Sequence, residues 1–254
     1  MADPFDLSGR VALVTGSGRG IGRAIALGLA RAGAICAIHD ETASPEAVDA
    51  AGAIEAAGGT AAAFAGDLAD PAASDALIGA VEARFGRLDI LVLNASSERR
   101  RDWDAPAEAD FEREVAVNLR STLALAARGR TGMAARRWGR ILLIGSIQTA
   151  KPNPQLAVYA ALKAAGANLM RNLARQLGAD GITVNVLSPG AIRTARNAAA
   201  LSDPAYRARV EAQIPVGRLG EPEDCVGAAL LLCSPAGAYI NGHELFVDGG
   251  WHAT

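Results

Sequence analysis

Three side chains near the middle of the chain have the types and spacing to move a proton. Tyr159 and Lys163 are four residues apart in an Ala- and Leu-rich stretch that reads as helix from about Leu156, so they share one helix face. Ser146 lies thirteen residues before Tyr159, just past the apolar run Ile141-Leu142-Leu143-Ile144. A phenol with its ordinary pKa of about 10 holds its proton too tightly for base work near neutrality. An ammonium one helical turn away favours the phenolate and brings the group towards acid–base use. The YxxxK spacing alone also occurs in helices with no such role, so the elements around these residues must decide.

The run 141–144 reads as a buried strand, which places Gly145-Ser146 at its C-terminal end. Lys151-Pro152-Asn153-Pro154 then breaks regular structure before the Tyr159 helix, which runs to about Leu177. Strands and helices alternate along the rest of the chain. Strands are expected at 10–15, 35–39, 60–65, 89–94, 182–187 and 244–247. Helices are expected from the glycines after Thr15 to Gly33, then at 45–57, 71–85, 111–136 and from Glu221 towards Cys233. Such alternation implies right-handed crossovers and an α/β, doubly wound parallel sheet, which binds ligands at the carboxyl ends of its strands. No linker, repeat or low-complexity segment intervenes, and residues 1–254 read as one domain. The polar, Ala-rich segment 191–215 carries Arg193, Arg196, Arg207 and Arg209 and reads as a mobile cover over the site.

The stretch after the first strand, GSGRGIGRAIALGLARAG, puts glycines first and helical periodicity after them. Gly16 and Gly20 would let the backbone turn tightly and approach a pyrophosphate, and Gly22 would let the helix pack closely. The helix N-terminus adds free N–H groups and a positive dipole end. Asp40, about twenty positions on, is placed to hydrogen-bond the adenosine ribose and to repel a 2′-phosphate, which argues for NAD over NADP. Against that stand Arg19 and His39, either of which could reach a phosphate. Asp67 could accept from an adenine amino group or cap the helix that starts near Pro71. Beyond the fourth strand, Arg99-Arg100-Arg101 reads either as a solvated loop or as a clamp on an anionic substrate. Asn118 falls in a mostly apolar stretch, where a buried amide needs partners.

The chain has 254 residues, 50% hydrophobic and 20% charged, with a formal net charge of −2. That suits one well-filled domain and gives no general reason to expect nucleic acid or a membrane surface as partner. The opening residues lack an apolar core for a signal peptide, and no apolar run is long enough to span a bilayer. Cys36, Cys225 and Cys233 are odd in number and lack metal-type spacing. They read as reduced cysteines of a cytoplasmic protein, and no metal site is expected.

With these residues in view, the sequence resembles the short-chain dehydrogenase/reductase family over nearly its whole length. The matching motifs are Thr15-Gly16-Ser-Gly-Arg19-Gly20-Ile21-Gly22, Asp67-Leu68, Asn94-Ala95 and Val117-Asn118-Leu119. They continue with Ser146, Tyr159-Ala-Ala-Leu-Lys163, Pro189-Gly190-Ala-Ile192-Arg-Thr194 and Val247-Asp248-Gly249-Gly250. The resemblance implies a Rossmann-type fold with a seven-stranded parallel sheet and helices on both faces, a nicotinamide cofactor, and a homotetramer or dimer. It implies that Ser146, Tyr159, Lys163 and Asn118 form the catalytic group. Tyr159 would be general acid or base, and Lys163 would also hold the nicotinamide ribose. Ser146 would bond the substrate oxygen, and Asn118 would bind a water that relays protons from Lys163. Thr194 and the backbone after Pro189 would contact the carboxamide. The family usually has Asn-Asn-Ala-Gly after the fourth strand, whereas this chain has Leu93-Asn94-Ala95-Ser96.

These observations point to hydride transfer between a nicotinamide and a secondary alcohol or ketone, with a sugar, polyol or sugar acid as substrate. Two alternatives stay open: an NADPH-dependent 3-oxoacyl thioester reductase, and a non-catalytic subunit that senses NAD(H) or serves assembly.

Overall fold

A computed structural model describes residues 3–104 and 107–254. The first strand, β1 (Val11–Val14), is buried throughout and ends in the glycine turn that opens helix α1 (Gly20–Arg31). Then follow β2 (Ile35–Asp40), α2 (Pro45–Ala56), β3 (Ala61–Ala65), α3 (Ala73–Phe85) and β4 (Ile90–Leu93). Ser44 caps α2 by accepting from the Ala47 N–H, with Pro45 in the first turn, and Gly86 ends α3 in the left-handed region at φ 80°.

The long helix expected at 111–136 begins earlier and is not continuous. It divides into α4 (Glu108–Val115), a π-helical turn (Ala116–Arg120) and α5 (Ser121–Ala135). Asn118 sits inside the π turn. Its Nδ2 donates to the carbonyl of Glu114 one turn back, and Thr122 Oγ1 donates to the carbonyl of Asn118. Side chains that compete for helix carbonyls loosen the ladder, and π turns of this kind concentrate at functional sites.

The chain continues through β5 (Gly139–Ile144), α6 (Ala157–Leu177) and β6 (Ile182–Pro189). Segment 191–215 is largely helical, holding α7 (Ala195–Leu201) and α8 (Pro204–Glu211), and its Val210 and Ile214 pack with Leu219 in a small core of their own. A capping box between Glu221 and Asp224 starts the turn before α9 (Val226–Cys233), and β7 (Glu244–Val247) closes the sheet.

All seven strands are parallel, in the order β3-β2-β1-β4-β5-β6-β7. Side chains alternate between faces along each strand. Ala12, Val14, Ile38 and Val92 pack with α1, α2 and α9 on one face, while Leu13, Leu91, Leu143 and Val184 pack with α3, α5 and α6 on the other. The order reverses direction between β1 and β4, so a crevice must open at their carboxyl ends.

Candidate active site

A cleft of about 870 Å³ occupies that crevice. It runs from the glycine turn past the ends of β4, β5 and β6 to α7, and every site residue expected from the sequence lines it except Asn118. Asn118 lies behind the wall, buried, with Nδ2 donating to the Ser97 carbonyl at 2.7 Å. Its Oδ1 is buried without a protein hydrogen-bond partner, a position suited to an ordered water.

The glycine turn is held from below. Gly16 adopts φ 62°, and its N–H donates to Nδ1 of His39 at 3.3 Å, while Nε2 of the same ring meets the Gly66 carbonyl at 3.0 Å. These partners place the proton on Nε2, and burial lowers the pKa of the ring. His39 is 2% exposed and both nitrogens are engaged, so it reaches no phosphate, contrary to the sequence expectation. Asn94 works from the other side: its Nδ2 donates to the carbonyls of Thr15 and Gly16, both at 2.8 Å. Its amide therefore shapes the turn. A Cβ on Gly22 would lie 2.5 Å from that Nδ2 and from the Gly16 carbonyl, so only glycine lets α1 approach this closely. A Cβ on Gly20 would touch Thr194 Cγ2 at 3.5 Å, so glycine keeps that much room at the α1 N-terminus. Backbone N–H groups, a helix dipole and no side chains in the way fit a pyrophosphate.

Two carboxylates, Asp40 and Glu41, line the cleft at the end of β2. Asp40 accepts from the Glu41 N–H at 2.9 Å and from Ser44 Oγ at 2.8 Å, and a Cβ on Gly18 would lie 2.8 Å from its Oδ2. Arg19 caps α1 with its backbone and is exposed. Asp67 does not cap α3, whose first turn is preceded by Ala72. Arg113 of α4 binds Asp67 through both oxygens, at 3.0 and 3.3 Å, and pairs with Glu41 at 2.9 Å, which holds the Asp67 carboxyl below its ordinary range. Leu68 is buried beside it. Arg113 was not legible as a site residue because its partners Glu41 and Asp67 lie far from it in the chain.

At the other end, β5 delivers Ser146 and α6 delivers Tyr159 and Lys163. Ser146 Oγ accepts from the Gln148 N–H at 3.2 Å, which leaves its own proton free to face the cleft. Lys163 is 4% exposed, donates to the Ile144 carbonyl at 2.8 Å, and lies 5.4 Å from the centre of the Tyr159 ring. Burial brings Lys163 down to about 7, helped by the charge of Arg196 and opposed by Glu98. Burial pushes the Tyr159 phenol up to about 12; the Arg196 charge lowers it, Glu98 raises it, and hydrogen bonding from Ser146 and Ser96 lowers it again. In the free protein the phenol is thus neutral, with the groups that stabilise its anion already around it. Pro189 ends β6, Gly190 donates to the Val247 carbonyl at 3.0 Å, and Ile192 is buried in a bridge to Gly220.

Within the arginine run, Arg99 and Arg100 line the cleft. Arg99 pairs with Asp110 at 3.5 Å; Arg101 pairs with Asp110 at 3.2 Å and with the buried Glu114 at 2.5 Å, so both tie the loop to α4. Arg193 is engaged by Glu221 at 2.8 Å. Arg196 instead enters the cleft from α7, donating to Ser96 Oγ at 2.6 Å and to the Ser96 carbonyl at 3.0 Å, with Glu98 at 3.8 Å.

Residues 16–252 match the family model described as enoyl-(acyl carrier protein) reductase. The chain belongs to the short-chain dehydrogenase/reductase family. It is 37% identical to 2-dehydro-3-deoxy-D-gluconate 5-dehydrogenase of Pseudoalteromonas atlantica, over 99% of each chain. Among solved structures, a gluconate 5-dehydrogenase of Burkholderia cenocepacia in complex with NADP and tartrate superposes with a TM-score of 0.94, at 38% identity over 99% of this chain and 98% of that one. A 3-oxoacyl (acyl-carrier-protein) reductase of Agrobacterium tumefaciens with NADP bound gives 0.92, at 42% identity over 97% and 95%. As a member of this short-chain dehydrogenase/reductase family, the protein is an NAD(P)-dependent oxidoreductase acting on CH–OH groups. Among the described residues no helix is long and apolar enough to cross a membrane.

Proposed function

We propose that the protein interconverts a secondary alcohol and a ketone on a sugar acid or a similar anionic polyol, with NAD preferred over NADP. The observation that carries this reading is Arg196: its guanidinium enters the cleft from α7 beside Ser96, with Glu98 at 3.8 Å, whereas Arg101 and Arg193 are held by carboxylates at 2.5 and 2.8 Å. A guanidinium presents N–H donors in a fork that matches a carboxylate. The related enzymes of Pseudoalteromonas and Burkholderia are named for sugar acids, which supports the same substrate class.

Tyr159 is assigned the proton transfer at the substrate oxygen. Lys163 favours the phenolate and bonds the cofactor ribose, and Ser146 donates to the substrate oxygen as charge develops there. Asn118, through a water on its Oδ1, connects Lys163 to solvent. The nicotinamide, when bound, supplies the hydride acceptor or donor at its C4. Gly16, Gly20, Ile21 and Thr194 would hold the diphosphate and the carboxamide of the bound dinucleotide, and segment 191–215 would cover the substrate.

Asp40 carries the coenzyme preference, since a 2′-phosphate would meet its negative charge where a ribose hydroxyl finds an acceptor, while the neighbouring Glu41 is paired with Arg113. The two solved relatives hold NADP, so this assignment rests on Asp40 of this chain. Family likeness further supports a homo-oligomer in the cytoplasm.

Likeness to the Agrobacterium enzyme favours a second reading, NADPH-dependent reduction of a 3-oxoacyl thioester. A screen by nicotinamide absorbance separates the two. NAD and NADP are paired with sugars, polyols and sugar acids, and the reduced cofactors with a 3-oxoacyl thioester. NAD-linked turnover of a sugar acid is expected; faster NADPH-linked reduction of the thioester would replace this reading with the second.

A further inference from the structure

The last strand of the sheet, β7, opens on an acid, Glu244, whose side chain is only 9% exposed. A carboxylate so far withdrawn from water is costly unless donors meet it. Three do, each from an element that delivers part of the site. Oε1 accepts from Thr149 Oγ1 and from Ser188 Oγ, both at 2.8 Å, and Oε2 pairs with Arg171 of α6 at 2.9 Å. Thr149 lies in the turn after Ser146, and its N–H donates to the Ser146 carbonyl at 3.1 Å. Its hydroxyl also comes within 3.0 Å of that carbonyl, but it has one proton, and the nearer, charged acceptor takes it. Ser188 precedes Pro189 on β6, and its hydroxyl packs on Gly145, where a Cβ would collide with it. The chain is thus held on both sides of Ser146 by way of one carboxylate, which does not itself line the cleft.

We propose that Glu244 is a positioning residue: through Thr149 and Ser188 it fixes the turn that carries Ser146, and so aims the Ser146 hydroxyl at the substrate oxygen. Arg171, about two turns beyond Lys163, completes the donors around the carboxylate and ties the same anchor to the helix of Tyr159. Hydroxyls on a carboxylate make charge-assisted hydrogen bonds, stronger than those between neutral groups. Such an anchor suits a donor that must keep its aim while charge develops at its partner. A small misplacement of a reacting group costs rate more than binding. Glu244 touches neither substrate nor cofactor in this scheme, and its effect passes through Ser146.

The inference rests on Ser146 as donor to the substrate oxygen, and one double-variant cycle separates the two assignments. Thr149→Val exchanges the hydroxyl for a methyl of similar size and leaves Glu244 with Ser188 and Arg171. On the secondary alcohol that turns over fastest, it is expected to lower kcat by about five- to tenfold, with KM and cofactor Kd within about threefold. Thr149→Ser, which keeps the hydroxyl, is expected to restore kcat to within about twofold. Added to Ser146→Ala, Thr149→Val is expected to cost less than about a further twofold, because the donor it aims is already gone. Glu244→Met should follow the same pattern, and if it does not fold the Thr149 variants carry the test. An unchanged kcat in Thr149→Val, or a loss that multiplies in full with that of Ser146→Ala, would overturn the role of Glu244 alone. Wild-type turnover in Ser146→Ala would overturn the assignment of Ser146 and this inference with it.

Discussion

The Nζ of Lys163 donates to the carbonyl of Ile144 at 2.8 Å, which ties the ammonium to the last residue of β5, the strand that delivers Ser146. One strand end thus fixes two members of the site. The third, Tyr159, follows from helical spacing.

The buried ammonium makes stability depend on pH. Lys163 falls to about 7 from its ordinary 10.5, a difference worth about 5 kcal/mol between the two protonation states. From pH about 7 to 10.5 the unfolded chain holds more protons, so stability rises with pH through that window. Lys163→Met removes this cost but leaves the Ile144 carbonyl without its donor, which returns about 1–3 kcal/mol. Denaturant unfolding should find Lys163→Met more stable than wild type near neutrality by about 2–4 kcal/mol, with the gap narrowing and then reversing as pH rises towards 10. A gap that widens with pH would contradict a buried, depressed lysine.

Asp40→Ala should lower the ratio of NAD to NADP efficiency by about tenfold or more, the effect of removing one hydrogen bond and one repulsive charge. Steady-state kcat/KM with each cofactor measures it. An unchanged ratio would move the preference to Glu41 or away from this end of the cleft.

Much of this was legible in the sequence. Strand positions followed from short apolar runs. Gly16, Gly22, Tyr159 and Lys163 followed from spacing, because a strand, glycine turn and helix and a helical i, i+4 pair are local patterns. Ser146 followed from the end of an apolar strand. What escaped depends on partners distant in the chain. His39 supports the glycine turn through Gly66, and Arg113 joins Glu41 and Asp67 from a helix more than forty residues later. The π turn at Asn118 was hidden because helical periodicity does not register one extra residue in a turn. The arginines at 99 and 101 offered charge, but only the fold reveals Asp110 and Glu114 beside them.

Arg196→Met should raise KM for a sugar acid by about tenfold or more while changing KM for the matching neutral polyol about threefold or less. Equal losses on both substrates would show that Arg196 acts on Tyr159 and not on a carboxylate.

The most direct measurement compares Tyr159→Phe with wild type on whichever secondary alcohol turns over fastest, with the cofactor Kd determined on the same samples. The fold keeps the ring in place, since Tyr159 is buried and only its hydroxyl is removed. Cofactor binding should stay within about threefold, and kcat should fall by about 10²–10⁴, the contribution of a positioned acid–base group. A variant that binds cofactor normally and keeps wild-type turnover would contradict proton transfer by Tyr159.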